Sequence, residues 1–328
     1  MRRRLSLAVD RFPIAGRFTI ARGSRTEAAV VTAVIEDGPS RGRGECVPYA
    51  RYGETLDGVM ATIERRRDAI ERGAGRVDLL ELLPPGAARN ALDCALWDLE
   101  AKQAGVAAHV LAGIDRLRPV TTAFTISLGE PQVMAAAATA AAHRPILKIK
   151  LGAPSGDPQR IAAVRAAAPD SILLVDANEG WRPDTLAENL RACAEAGVAL
   201  VEQPLPADDD RMLAAMERPL AICADESVHT RDGLGSLRDR YDAVNIKLDK
   251  AGGLTEALLL AAEAERLGLA IMVGCMVGSS LAMAPAMLLT PKARFVDLDG
   301  PLLLAADRPE GLTYDGSLVF PPTATLWG

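Results

Sequence analysis

From about Thr121 onward the chain repeats one pattern: a short apolar run, an ionisable residue at its end, and an Ala-rich stretch with helical spacing. The runs are Thr122–Ser127, Ile146–Lys150, Ile172–Asp176, Ala199–Glu202, Ala221–Ala224, Ala243–Lys247, Ala270–Gly274 and Arg294–Leu298, each but the last followed by a helical candidate. Eight short strands interleaved with helices predict a parallel sheet closed into a TIM-like α/β barrel. Lys150, Asp176, Glu202, Asp225 and Lys247 close the second to sixth runs, at separations of 26, 26, 23 and 22 residues, about one strand–helix unit each. Because the C-terminal ends of barrel strands converge on one mouth, all five are expected at one rim. A single Asp after a strand is most often a helix cap or turn residue, and a single Lys is most often solvated. Five in the register of a barrel point instead to a site. Asp176, Glu202 and Asp225 would repel one another unless they share a cation, and three oxygen ligands with positions left open suit Mg²⁺.

The first 115 or so residues read differently. Alternation over Ala29–Ile35, closed by Glu36-Asp37-Gly38, marks an antiparallel strand, and the opening Met1–Asp10 reads as a first strand rather than a signal peptide. Thr55–Arg72 and Pro85–Gln103 carry apolar residues at helical spacing, with Leu92, Ala95, Leu96 and Leu99 on one face. The segment is thus an α+β module, to which an extended tail, Asp307–Gly328, is expected to return. A length of 328 residues accommodates such a module beside a barrel of about 250. A net charge of −6 argues against broad binding to nucleic acid or anionic lipid, and no apolar run reaches the length of a membrane span. Five cysteines without a Cys-x-x-Cys pair suggest neither a disulfide framework nor a zinc site, which favours a cytoplasmic setting. The expected partner is a small molecule, and the sequence leaves homo-oligomerisation open.

Lys148-Ile149-Lys150, Asp176-Ala177-Asn178, Val201-Glu202-Gln203-Pro204, Ala224-Asp225-Glu226-Ser227 and Asn245 to Gly253 resemble the muconate-lactonizing subgroup of the enolase superfamily. Ile20 to Arg25 and Ala87 to Asp98 are similar to the capping domain of its bacterial L-Ala-D/L-Glu epimerases. The resemblance implies a (β/α)₇β barrel over about 116–304, and a capping domain over 1–115, completed by about 305–328, whose loops cover the mouth. It also implies Asp176, Glu202 and Asp225 as Mg²⁺ ligands, with Lys150 and Lys247 as the acid/base pair.

Cycloisomerases, o-succinylbenzoate synthases, N-acylamino-acid racemases and dipeptide epimerases of this subgroup share that lysine pair. Asp297-Leu298-Asp299, at the end of the eighth run, favours the dipeptide epimerases: two carboxylates away from the metal suit a substrate ammonium, although a turn capped by Asp299 is the simpler alternative. An N-acylamino-acid racemase or an o-succinylbenzoate synthase remains the rival reading. Arg22 and Arg25 both stand near the position where the family binds the substrate's second carboxylate, and the sequence does not choose between them. Thr125 is placed to touch the peptide group, and Lys148 to supply a second cation beside the base. The activity implied is epimerisation of the dipeptide's C-terminal α-carbon, in the family's case for murein-peptide recycling.

Overall fold

The computed structural model describes residues 3–328, so Met1 and Arg2 of the expected first strand lie outside the described residues. Strands β1 (Arg4–Ile20), β2 (Gly23–Asp37) and β3 (Ser40–Cys46) form an antiparallel sheet in that order. The expected strand at Ala29–Ile35 is the middle of β2, and its apolar alternates Val31, Ala33 and Ile35 are buried against helices. β1 and β2 pair from Arg4↔Glu36 to Ile20↔Gly23, with a register shift between Pro13 and Phe18, so the pair runs on as a long hairpin beyond the sheet.

The helical pattern over Thr55–Arg72 forms two helices rather than one: α1 (Leu56–Glu64), whose N-terminus is capped by the Thr55 side chain, and α2 (Arg67–Glu71). After α3 (Arg76–Leu82), α4 (Ala87–Ala104) is the module's main helix. It is buried on two sides. Leu92, Ala95, Leu96 and Leu99 pack on the antiparallel sheet, while Cys94, Trp97 and Ala101 belong to the barrel's outer core. Close approach of α4 to β3 depends on Gly42 and Gly44, where a Cβ would lie 2.1 Å from Ala95 O and Ala91 O respectively. A short helix, α5 (Ala108–Leu111), ends the module.

After β4 (Val120–Thr121) come β5 (Phe124–Ile126), α6 (Pro131–Ala141), β6 (Ile146–Lys150), α7 (Asp157–Ala167), β7 (Ile172–Asp176), α8 (Pro183–Glu195), β8 (Val198–Glu202), β9 (Ile222–Ala224) and β10 (Ala243–Ile246). Then follow α9 (Leu248–Ala251), α10 (Leu254–Leu267), β11 (Ala270–Val273), α11 (Ser280–Ala286) and β12 (Phe295–Val296). All eight expected strands are present, β5 to β12, in one parallel sheet in sequence order. Its edges meet where the Ala123 N–H donates to Val296 O at 2.8 Å and the Leu298 N–H to Thr122 Oγ1 at 2.8 Å. Two expected helices are absent: β8 and β9 are followed only by 3₁₀ turns, Arg211–Ala214 and Leu234–Leu237. Pro206 and Pro219 bracket the first, and Gly233 and Gly235 fall in the second, both unfavourable to an α-helix.

The tail pairs as β13 (Tyr314–Asp315) and β14 (Leu318–Val319) with β4, then crosses to the N-terminal module. There the Gly328 N–H donates to Asp98 Oδ1 at 2.7 Å, and Trp327 Nε1 to Cys94 O at 3.0 Å, both acceptors on α4. Among the described residues no helix is long and apolar enough to cross a membrane.

Because α4 is held from both sides, it cannot retreat from an added methyl group on β3. Gly44→Ala is expected to cost about 1–3 kcal/mol, read as a lower urea midpoint at unchanged slope, and a wild-type midpoint would contradict the packing described.

Candidate active site at the barrel mouth

Side chains alternate along a strand, so every second residue faces the barrel interior. Ile146, Leu174, Leu200, Cys223, Ala243 and Met272, with Ala123, form an apolar floor inside the barrel. Counting in twos from that floor toward the strand ends gives Lys148 and Lys150, Asp176, Glu202, Asp225, and Asn245 and Lys247. From the partly buried Phe295 of the same floor, the count reaches Asp297 and Asp299. The interior therefore changes within one or two residues from hydrocarbon to charge.

One oxygen each from Asp176, Glu202 and Asp225 lies within 4.8 Å of the others, and all three residues are buried. Lysine ammonium groups neutralise them. Lys150 Nζ donates to Asp176 Oδ2 at 2.6 Å and Lys247 Nζ to Asp225 Oδ2 at 2.6 Å. Lys148 Nζ sits between carboxylates, 2.6 Å from Glu202 Oε2, 2.7 Å from Asp297 Oδ2 and 3.3 Å from Asp176 Oδ2. The Glu202 contact is an ion pair by distance, but its angle leaves Oε2 without a directed hydrogen bond. Burial works against the charge on each group, and the opposite charges outweigh it at Asp176 and Asp225, whose carboxyls are held below the usual range. They outweigh it also at Lys148 and Lys247, which are raised. Glu202 is pushed up, by burial first and then by Asp176. A buried, incompletely bonded carboxylate between two others is a donor set of hard oxygens fitted to a divalent cation.

Lys250, Asn245 and Gln203 also belong to the site; they stand within the quoted motifs, but the sequence reading gave them no role. Lys250 Nζ donates to Asp225 Oδ1 at 2.5 Å and to Asn245 O at 3.1 Å, and Asn245 Nδ2 donates to Glu202 Oε1 at 2.8 Å. Gln203 Oε1 accepts the Asp225 N–H at 2.8 Å, from a backbone with φ 35°. Spacing carried part of this signal: Asn245 precedes Lys247 by one strand repeat, and Lys250 follows it by one helical turn. His229 lies in a loop, edge-on to the Tyr52 ring; burial first, then the Lys250 charge, lowers it to about 4.

Above the rim is a cavity of about 410 Å³. Lys150, Asp225 and Lys247 reach it from the barrel; Arg22, Arg25, Tyr49 and Tyr52 reach it from the N-terminal module, and Phe18, Ile20, Met276 and Val277 add apolar wall. Both Nη groups of Arg22 are engaged, donating to Asn178 O (2.8 Å), Glu179 Oε2 (3.1 Å), Tyr49 Oη (3.1 Å) and Glu226 Oε1 (2.6 Å). Arg25 lies over the Tyr49 ring at 5.3 Å and has no carboxylate partner among the described residues. Lys148, Thr125, Asp297 and Asp299 are not on the cavity wall but in a buried layer behind Cys275, a wall residue whose thiol is pushed up by burial and then by Asp297 and Asp299. Asp299 Oδ2 accepts the Thr125 N–H at 2.7 Å, and Asp297 Oδ1 has no partner.

Residues 3–113 match the N-terminal domain of mandelate racemase / muconate lactonizing enzyme, and residues 132–319 match the enolase C-terminal-domain-like family. The chain belongs to the mandelate racemase/muconate lactonizing enzyme family. Within this family of the enolase superfamily it is 48% identical to the L-Ala-D/L-Glu epimerase of Escherichia coli K12, over 93% of this chain and 95% of that one. It is 45% identical to the N-acetyl-D-glutamate racemase of a Pseudoalteromonas species, over 91% and 95%. It also matches, with a TM-score of 0.98 and 56% identity over 99% of this chain and 100% of the other, the crystal structure of an enolase family member from Agrobacterium tumefaciens with homology to dipeptide epimerases, holding sodium and L-Ala-L-Glu. Such relatives are isomerases that act on amino-acid derivatives, and so is this family member.

The triad predicts one divalent-cation site per chain, with Asn245 orienting Glu202. Titration with Mn²⁺ followed by calorimetry should find one site in the wild type and about 10–100-fold weaker binding in Asn245→Ala. Equal affinities would mean that the Asn245–Glu202 bond does not shape the site.

Proposed function

We propose that this enzyme epimerises dipeptides ending in glutamate, L-Ala-D/L-Glu above all, by moving a proton at the α-carbon of the C-terminal residue between Lys150 and Lys247, with Mg²⁺ held by Asp176, Glu202 and Asp225. The observation that carries the reading is the placement of the two lysines. They leave β6 and β10, four strands apart in an eight-stranded ring, and each is 2.6 Å from a different carboxylate of one triad. An α-carbon above that triad has one ammonium on each face. The same reading divides the chain into a catalytic barrel of about 116–304 and a capping domain of 1–115, completed by about 305–328.

Bound at the triad, Mg²⁺ would stabilise the negative charge that builds on the substrate carboxylate as the α-proton leaves. A lysine must be neutral to take that proton. Lys247 keeps its own while Asp225 and Glu202 face it, and yields it more readily once those carboxylates are engaged elsewhere. Lys148, fixed between Glu202 and Asp297, disfavours a further charge nearby. With one lysine neutral and the opposite one protonated, removal from one face and delivery to the other inverts the centre.

Arg25, on the cavity wall without a carboxylate partner among the described residues, suits the glutamate side-chain carboxylate better than Arg22, whose Nη groups are already used. That carboxylate is common to L-Ala-L-Glu and to N-acetylglutamate, the substrate in the name of the Pseudoalteromonas relative, so the other end of the substrate must decide. Asp297 and Asp299 favour a free ammonium, and the unpartnered Asp297 Oδ1 supports that assignment. Asp299 Oδ2 already accepts the Thr125 N–H, so an ammonium at Asp299 would bring the peptide group close to Thr125. N-acylamino-acid racemisation is the second reading, favoured by the name of that relative.

In D₂O with Mg²⁺, L-Ala-L-Glu should take up α-deuterium on the glutamate as it epimerises, and Lys150→Ala or Lys247→Ala should each lower epimerisation by 10²-fold or more, about the contribution of one acid–base group. A Lys247→Ala enzyme turning over at the wild-type rate would rule out the two-lysine mechanism.

Acetylating the dipeptide's amino group removes one or two charge-assisted hydrogen bonds worth about 1.5–3 kcal/mol each, so kcat/KM should fall by about 10²-fold or more. Asp297→Asn and Asp299→Asn should narrow that gap. Burial, then Asp297, pushes the Asp299 carboxyl up to about 7, so its negative charge is lost as pH falls through 7, and kcat/KM for the free dipeptide should decline there. That part of the acid limb should vanish in Asp299→Asn. Equal rates on free and acetylated substrates would favour the racemase.

A further inference from the structure

The roof of the cavity is made of two separate segments of the N-terminal module: the turn of the β1–β2 hairpin, which carries Arg22, and the 3₁₀ turn Ala50–Tyr52, which carries Arg51. Both are tied to one barrel side chain that the proposed chemistry does not use. Glu179, in the loop after β7, takes a fork-to-fork pair of bonds from Arg51, Nε to Oε2 at 2.6 Å and Nη2 to Oε1 at 2.8 Å. Its Oε2 also accepts from Arg22 Nη1 at 3.1 Å, and its Oε1 accepts the Ala207 N–H of the loop after β8 at 2.9 Å.

The backbone beneath it is unusual. Asn178 and Glu179 are consecutive non-glycine residues in the left-handed region, with φ 46° and 66°. Side chains rarely adopt that conformation, and residues held there cluster where a geometry must be imposed. What it achieves here is specific: the Asn178 carbonyl turns toward Arg22, 2.8 Å away, while the Glu179 carboxylate turns toward Arg51. The Glu179 side chain is only 8% exposed, against 26% for Arg22 and 35% for Arg51, so a sheltered anion on the barrel is met by more exposed cations on the roof side of the interface. Bidentate arginine–carboxylate pairs fix orientation as well as distance.

We propose that Glu179 is a positioning residue that latches both roof segments onto the barrel and so sets how tightly the cavity closes over substrate. It acts through Arg22 and Arg51 and touches neither the reacting carbon nor the metal triad. The inference takes the cavity as the substrate site, as proposed above. Without the latch a fraction of the molecules would be open, and apparent affinity falls in proportion to the closed fraction. Saturating substrate restores closure, and the chemical step is then unaffected.

The test compares the wild type with Glu179→Gln and with Arg51→Ala, a partly exposed position whose loss leaves the Arg22 contact in place. With L-Ala-L-Glu and Mg²⁺, KM should rise about tenfold in Glu179→Gln and less in Arg51→Ala, while kcat changes by less than about threefold. Independently of any substrate, amide hydrogen exchange over 17–27 and 49–53 should quicken by about tenfold on the same scale, with β6 to β8 unchanged. Unchanged roof exchange in both variants, or a fall in kcat at constant KM, overturns the latch. Faster roof exchange in a protein that epimerises no dipeptide keeps the latch and overturns the substrate reading instead.

Discussion

Three carboxylates held within 4.8 Å of one another, away from water, are the constraint around which the barrel mouth is organised. Buried like charges at that spacing are costly unless counter-charges stand close, and a buried charge is tolerated only when it is paired and hydrogen-bonded. Every neighbouring choice answers this demand. Lys148, Lys150, Lys247 and Lys250 each bring an ammonium to the triad, Asn245 fixes Glu202, and Gln203 holds the Asp225 backbone from a left-handed conformation. The groups to which the proposed mechanism gives acid–base work are thus assembled by the same electrostatic demand.

The apolar floor contributes to the same end. Ile146, Leu174, Leu200, Cys223, Ala243 and Met272 close the barrel beneath the charges, so the site opens only toward the N-terminal module. That module must then be placed accurately, and its main helix does so by packing on both sides. Two glycines of β3 bring the sheet against α4, while the opposite face of α4 joins the barrel core and its carbonyls and carboxylates receive the C-terminal tail. A second buried tie runs through Arg308, which donates to Glu45 on β3 and Asp10 on β1, while Glu45 accepts the Ser279 N–H at the start of α11. Floor and roof are therefore parts of one packed body, though the hairpin tip and the Arg51 turn extend beyond it.

Division of labour between floor and roof follows from their chemistry. In the proposed reaction the lysines and carboxylates above the floor address what any α-amino-acid carboxylate presents, and nothing in them distinguishes one side chain from another. The roof supplies Arg25, two tyrosines and an apolar wall, groups that discriminate by charge and shape. Relatives with different substrates in their names can thus share nearly half their residues with this chain. Asp297 and Asp299 are an exception: they belong to the barrel, the proposed reading assigns them to the substrate's far end, and Lys148 links Asp297 electrostatically to the triad.

The strand–helix repeat and the ionisable residue at each strand end were legible in the sequence because the signal is local. A period of two along each strand, repeated every 22 to 26 residues, names Lys150, Asp176, Glu202, Asp225 and Lys247 without any knowledge of contacts. Lys250 and Asn245 were legible only in part, since their spacing from Lys247 shows a shared face but not which carboxylate each would meet. The absence of helices after β8 and β9 was not legible, because short stretches between prolines or around glycines still carry apolar residues at helical intervals. What tertiary structure alone decided are meetings between residues far apart in the chain. Arg22 found Glu226 and Glu179 across more than 150 residues and was spent on them, leaving Arg25 unpaired. Sequence could nominate both arginines but could not choose, because the choice rests on which anion of the folded barrel each guanidinium reaches first.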